Sequence, residues 1–282
     1  MIFGGHSGFP GNFQWPDAMN RVSVNLSEYP LQPEFPEIAM MEVSHVSLPD
    51  SSPADDLMIS VMRYRESFHS VLPHRQGITR CLAMDLSGRR ADFTPDVYED
   101  LGRFSAWVEG MLREAGADYG IGGYAEDREM YARSRVFDGD GAPRRLHLGI
   151  DIWAPAGTPV FAPLCGVVHS VGIREEAGDY GGVLILSHEL DDQVFHTLYG
   201  HLSRSVGEWK AGDRVRAGQS IARLGSPSEN GYWPPHLHFQ AIRDMEGMTG
   251  DYPGVCRRAD RERYLKNCPD PTPLLGFEPF GL

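Results

Sequence analysis

Three short stretches of this sequence bring metal-binding or proton-transfer side chains into close register. His147 stands four residues before Asp151 in His147-Leu148-Gly149-Ile150-Asp151. His236 and His238 flank Leu237 in Pro234-Pro235-His236-Leu237-His238-Phe239-Gln240. Between them lies Leu198-Tyr199-Gly200-His201-Leu202. On a strand, side chains alternate faces, so His236 and His238 share one face while Leu237 and Phe239 enter the core. Two imidazoles on one face of a buried strand need a polar reason, and a metal ion supplies one. His147 and Asp151 offer further ligands, and imidazole with carboxylate suits Zn²⁺. Three protein ligands with a fourth position left for water make a catalytic rather than a structural zinc site.

Each spacing alone is common, but the two in this order are far more specific. The remaining histidines lack such a setting. His169, His188 and His196 fall on predicted strands as surface or satisfied core residues, and His6, His45, His69 and His74 have no paired ligand spacing.

The elements that must position these groups are mostly strands. From about residue 146, β-branched runs alternate with Gly, Pro and Asp turns, predicting strands at Pro159–Ala162, Gly166–Val171, Val183–His188, Val194–His201, Ser220–Leu224 and His236–Ile242. Upstream, apolar residues at three- and four-residue steps predict a helix over Ser51–Leu72, and a short strand is expected at Cys81–Leu86. A second helix is expected over Thr94–Ala115, with Thr94 as cap, Pro95 at its first position and Gly116 as its stop. The expected organisation is an irregular Pro/Gly-rich arm over residues 1–50, a small helical or mixed accessory region over 51–140, a mainly β domain over 141–244, and an irregular tail packed on the body over 245–282. The fold class is α+β overall, with a compact antiparallel sheet or sandwich at its centre.

The β region resembles the lysostaphin- and LytM-type zinc metallopeptidases, which include peptidoglycan endopeptidases. Six ordered motifs carry the resemblance: His147-x-Gly149-x-Asp151, Ala154 to Ala162 with Gly157-Thr158-Pro159-Val160 inside it, Gly166-Val167-Val168, Tyr199-Gly200-His201-Leu202, Ala211 to Gln219, and His236-Leu237-His238-Phe239. They span residues 146–242. The resemblance implies a duplicated-hybrid-motif-like β fold and one Zn²⁺ per chain held by His147, Asp151 and His238. It also implies that His201 and His236 orient water, move protons and stabilise the oxyanion of amide hydrolysis. Ser226 to Pro235 replaces the short turn usual in that family, making Tyr232 and Trp233 candidate cleft residues, and Gln240 stands where Glu is common. The implied substrate is a peptide or muropeptide-like amide. Two alternatives stand beside it: an intracellular amidase or peptidase on a small non-wall substrate, and a non-catalytic regulator on the same fold.

The formal net charge of −13 argues against nucleic acid, whose phosphates would be repelled. No apolar run reaches the length of a membrane span, so no membrane insertion is expected. The opening residues MIFGGHSGFPGNFQWPD have neither the basic nor the apolar region of a Sec leader, which favours the cytoplasm over secretion or the periplasm. Of four cysteines, Cys256 and Cys268 are near enough in sequence to pair, against a simpler reading of four free thiols. The aromatic-rich N-terminal arm could also fold over the metal and block its fourth position.

Overall fold

A computed structural model describes residues 53–133 and 143–279. The N-terminal arm and its possible contact with the metal lie outside the described residues. The first helix, α1 (Pro53–Tyr64), buries Leu57 and Val61. Asp191 accepts hydrogen bonds from Ser60, Arg63 and Tyr64 at 2.7–2.9 Å and pins the helix to a distant strand turn. The helix ends well before Leu72. There the chain finds partners elsewhere: His69 N–H donates to Pro163 O and Val71 N–H to Leu275 O, in place of intrahelical bonds. Phe68, Val71 and Leu72 are buried all the same, so their helical spacing reported burial rather than helix.

Strands β1 (Cys81–Met84) and β2 (Tyr119–Gly122) are parallel, joined through α2 (Pro95–Tyr98) and α3 (Leu101–Ala115). The single helix expected over Thr94–Ala115 is thus two. Asp100 takes an extended backbone and its carboxylate accepts from Arg103 N–H at 2.8 Å, so it caps α3. Gly116, at φ 58°, closes α3 in the left-handed conformation, as expected from sequence.

The remaining strands are β3 (Leu146–His147), β4 (Ile150–Trp153), β5 (Pro159–Phe161), β6 (Gly166–Arg174), β7 (Gly181–Leu190), β8 (Gln193–Leu202), β9 (Arg214–Val215), β10 (Ser220–Arg223), β11 (His236–Ile242) and β12 (Val255–Cys256). Eight strands make one sheet in the order β1-β2-β4-β11-β8-β7-β6-β9, and β5 with β10 and β3 with β12 form two small ribbons. All pairings in the large sheet are antiparallel except β1 with β2, so the sheet is mixed. The upstream region therefore extends the same sheet: β2 pairs with β4, setting Gly122 beside Asp151.

Both faces of the central strands are covered. On β7, Leu184 and Leu186 join one apolar cluster while Val183 and Ile185 join another. That two-sided burial is why Gly181–Leu190 reads as a continuous apolar run rather than an alternating one. The second face is covered by Met245, Tyr252, Cys256 and Cys268, with Tyr264 and Leu265 of α4 (Arg261–Asn267) packed against them, so the tail has structure of its own. Cys256 and Cys268 are buried free thiols here, not a disulfide. Among the described residues no helix is long and apolar enough to cross a membrane.

Candidate metal centre and active site

Leu237 and Phe239 belong to the first apolar cluster, and His236, His238 and Gln240 face the other way, as strand alternation requires. His238 lies directly opposite Asp151 across the β11–β4 ladder and opposite Gly200 across the β11–β8 ladder. His147 comes from β3, one short turn before β4. Gly149 makes that turn possible, because a Cβ there would sit 2.6 Å from Phe239 O and 2.9 Å from the His238 ring.

The three expected ligands converge. His147 Nε2 lies 3.0 Å from His238 Nδ1 and 3.2 Å from Asp151 Oδ1, and His238 Nδ1 lies 3.1 Å from the same oxygen. All three side chains are at most 3% exposed. Four-coordinate zinc with bonds near 2.0–2.1 Å sets its ligand atoms about 3.3 Å apart, so this triangle is of the right size. Its chemistry fits as well. His147 Nδ1–H donates to Gly123 O at 3.0 Å, and His238 Nε2–H donates to Gln240 Oε1 at 2.9 Å. The nitrogens turned inward therefore carry lone pairs, and two lone pairs meet a carboxylate oxygen in a buried space. Burial, aided by Arg128, pushes His147 down to about 4, so a proton does not fill that space at neutral pH. A divalent cation does, and the donor set of two imidazoles and one carboxylate is that of a zinc site.

Gln240 in place of a carboxylate keeps the His238 tautomer fixed. Its amide nitrogen donates onward to Cys268 Sγ at 3.3 Å and to Pro253 O at 3.2 Å, a carbonyl that would repel a carboxylate.

Beside the triangle stand His201 and His236, their ring centroids 4.1 Å apart. His201 Nδ1–H donates to Asn230 O at 2.8 Å and His236 Nδ1–H to Pro234 O at 2.7 Å. Each ring is left with an unprotonated Nε2, and that of His236 lies 3.9 Å from Asp151 Oδ1. Burial lowers both pKa values, so both rings are neutral bases at pH 7. Trp233 and both histidines line a cavity of about 390 Å³ together with Tyr131, Tyr180 and Tyr252. Tyr232, expected beside Trp233 in the cleft, is 47% exposed and does not line this cavity. At φ 63° its backbone reverses, which sends adjacent side chains in different directions.

Two residues that contact the site escaped the sequence reading. Asn230 organises the Ser226–Pro235 loop: its side chain accepts from Trp233 N–H at 3.1 Å and donates to Trp233 O at 3.1 Å, while its own carbonyl holds His201. Arg128, wholly buried, donates through Nη1 to Asp151 Oδ2 and to the Tyr131 hydroxyl, and through Nε to Glu126 Oε2 at 2.7 Å. Burial alone would raise the Asp151 carboxyl, but His147 and Arg128 hold it well below the usual range.

Residues 145–249 match the model of Peptidase family M23. An uncharacterized metalloprotease of Haemophilus influenzae is 34% identical over 127 residues, covering 43% of this chain and 25% of that protein. The DD-carboxypeptidase/endopeptidase Mpg of Neisseria meningitidis is 39% identical over 97 residues, 34% of this chain and 20% of the relative. An L-Ala--D-Glu endopeptidase of Bacillus subtilis is 32% identical over 147 residues, 49% of this chain and 42% of the relative. The chain thus spans less than half the length of each of these relatives. The stretch that matches the Peptidase family M23 model, residues 145–249, carries both the ligand triangle and the histidine pair.

Proposed function

We propose that this chain is a zinc metalloendopeptidase that hydrolyses a peptide amide bond, with peptidoglycan peptides as its substrate class. The observation that carries this reading is the buried triangle of His147 Nε2, His238 Nδ1 and Asp151 Oδ1, flanked by two histidines whose tautomers are already set. The endopeptidase names of these relatives support the substrate class. Bound in the triangle, zinc supplies a Lewis acid that polarises the scissile carbonyl and acidifies water.

The chain's own residues do the rest. His147, Asp151 and His238 hold the ion. Either His201 or His236 accepts a proton at Nε2 and returns it to the leaving amine. A protonated ring also donates a hydrogen bond to the developing oxyanion. Backbone carbonyls of Asn230 and Pro234 keep both rings in the orientation and tautomer this requires. Trp233 and the three tyrosines give the cavity apolar walls that exclude bulk water.

The test is zinc content and hydrolysis of defined muropeptides, read by mass spectrometry. His147→Ala and His238→Ala lose both zinc and turnover. His236→Ala keeps one zinc per chain and loses about 10²- to 10⁴-fold in kcat. Stoichiometric zinc in the double His147→Ala/His238→Ala variant would defeat the proposal. Cleavage of a dipeptide library but not of muropeptides would redirect it to a small non-wall amide.

A further inference from the structure

We infer that Arg128 is a positioning residue of the metal centre, holding Asp151 Oδ2 so that the carboxylate offers only Oδ1 to the ion. This rests on the zinc reading above and adds a residue that lies upstream of the matched region.

The guanidinium is fixed from several sides. It engages Asp151 on β4, Tyr131 and Glu126, and Glu126 is itself held by Leu86 N–H at 2.8 Å. Its Cζ lies 5.8 Å from the Tyr131 ring centre and 6.0 Å from that of Trp153. A Cβ on Gly122 would come within 2.6 Å of Arg128 Nη2 and 2.7 Å of the Trp153 ring, so this neighbour must be glycine. A cation buried beside a divalent ion is repelled by it. The carboxylates of Glu126 and Asp151 offset that repulsion, and the placement makes sense if orientation is what the arginine provides.

A second, independent set of contacts points the same way. The segment that carries Arg128 also frames the other early ligand. Gly123 O accepts from His147 Nδ1–H, Ala125 N–H donates to His147 O at 3.0 Å, and Glu126 O accepts from His147 N–H at 2.9 Å. Residues 123–128 therefore fix one ligand through its backbone and ring and the other by a single side-chain bond from Arg128 Nη1. Released from Arg128, the Asp151 carboxylate is free to turn and bind through both oxygens, which raises the coordination number.

The experiment uses the full chain loaded with Co²⁺, whose visible absorption is intense in four-coordinate sites and weak in higher coordination. Wild type is expected to bind one Co²⁺ with an intense band. Arg128→Met is expected to bind Co²⁺ with the band at least halved, at a melting temperature showing an intact fold. Arg128→Lys keeps the charge but not the planar guanidinium that engages Asp151, Tyr131 and Glu126 together, and is expected to fall between the two. An unchanged band in folded Arg128→Met overturns the inference and leaves Arg128 as a structural ion pair. Should that variant not fold, Arg128→Lys decides, and an unchanged band there overturns it equally. Wild type that binds no Co²⁺ defeats the zinc reading itself, which separates the two failures.

Discussion

His201 holds a φ of 60°, a conformation that costs a residue with a Cβ about 1–2 kcal/mol. Its backbone is over-determined: N–H donates to Tyr180 O and the carbonyl accepts from Gly225 N–H, both at 2.9 Å. Strain stored at this residue and maintained by its neighbours fits the proton-transfer part proposed for it. Gly149 illustrates the opposite device, an absent side chain that lets a ligand in. Gly149→Ala is expected to destabilise the fold by about 1–3 kcal/mol and to lower zinc content, because its Cβ meets the Phe239 carbonyl and the His238 ring. Metal analysis and a thermal melt check this; an unaltered zinc stoichiometry would contradict it. At this scale the sequence was most legible where site residues share a short motif, as His147 does with Asp151 and His236 with His238. It was silent about Arg128 and Asn230, which act across 23 and 29 residues of chain through contacts with no fixed spacing. Tyr232 was misplaced because one left-handed residue decides which of two adjacent aromatics faces the cavity.

Strands β7 and β8 share a buried histidine that the catalytic apparatus does not use. His188 donates from Nδ1 to Cys165 O at 2.9 Å, and its Nε2 lies 2.7 Å from Thr197 Oγ1. Burial pushes its pKa down to about 4 from 6.5. With the folded value below the unfolded one, the unfolded chain takes up a proton first as pH falls. Stability from this group is complete above pH 6.5 and declines between 6.5 and about 4, by about 3 kcal/mol at most. His188→Gln should flatten the acid limb of a stability-versus-pH curve measured by urea unfolding, and an identical limb in both proteins would exclude His188 as its source. Strand positions were readable from the sequence because runs such as Val183–His188 sit between turn residues. Helix ends were less so: Ser51–Leu72 outran α1 because extended chain can bury the same apolar residues, and Asp100 split the second helix by capping from within an otherwise periodic stretch.

Across the whole molecule, the strand that carries Asp151 lies inside the sheet, between β2 and β11. A fragment of residues 145–249 alone would leave β4 with an unpaired edge and remove Arg128 and Gly123. It is expected to aggregate in size-exclusion chromatography and to retain little zinc, in contrast to the full chain. A monomeric fragment with one tightly held zinc would show that the upstream strands are dispensable. The upstream region was hard to place from sequence because β1 and β2 are four residues each and no hairpin turn joins either to its partner.

That pairing of β2 with β4 separates two boundaries usually drawn as one. The match to the Peptidase family M23 model begins at residue 145, but the hydrogen-bonded ladder runs on to Cys81. Anyone splicing this metal-binding unit into a chimera, or swapping it between scaffolds, would have to place the seam before Cys81, since a join at residue 145 leaves β2, Gly123 and Arg128 on the discarded piece.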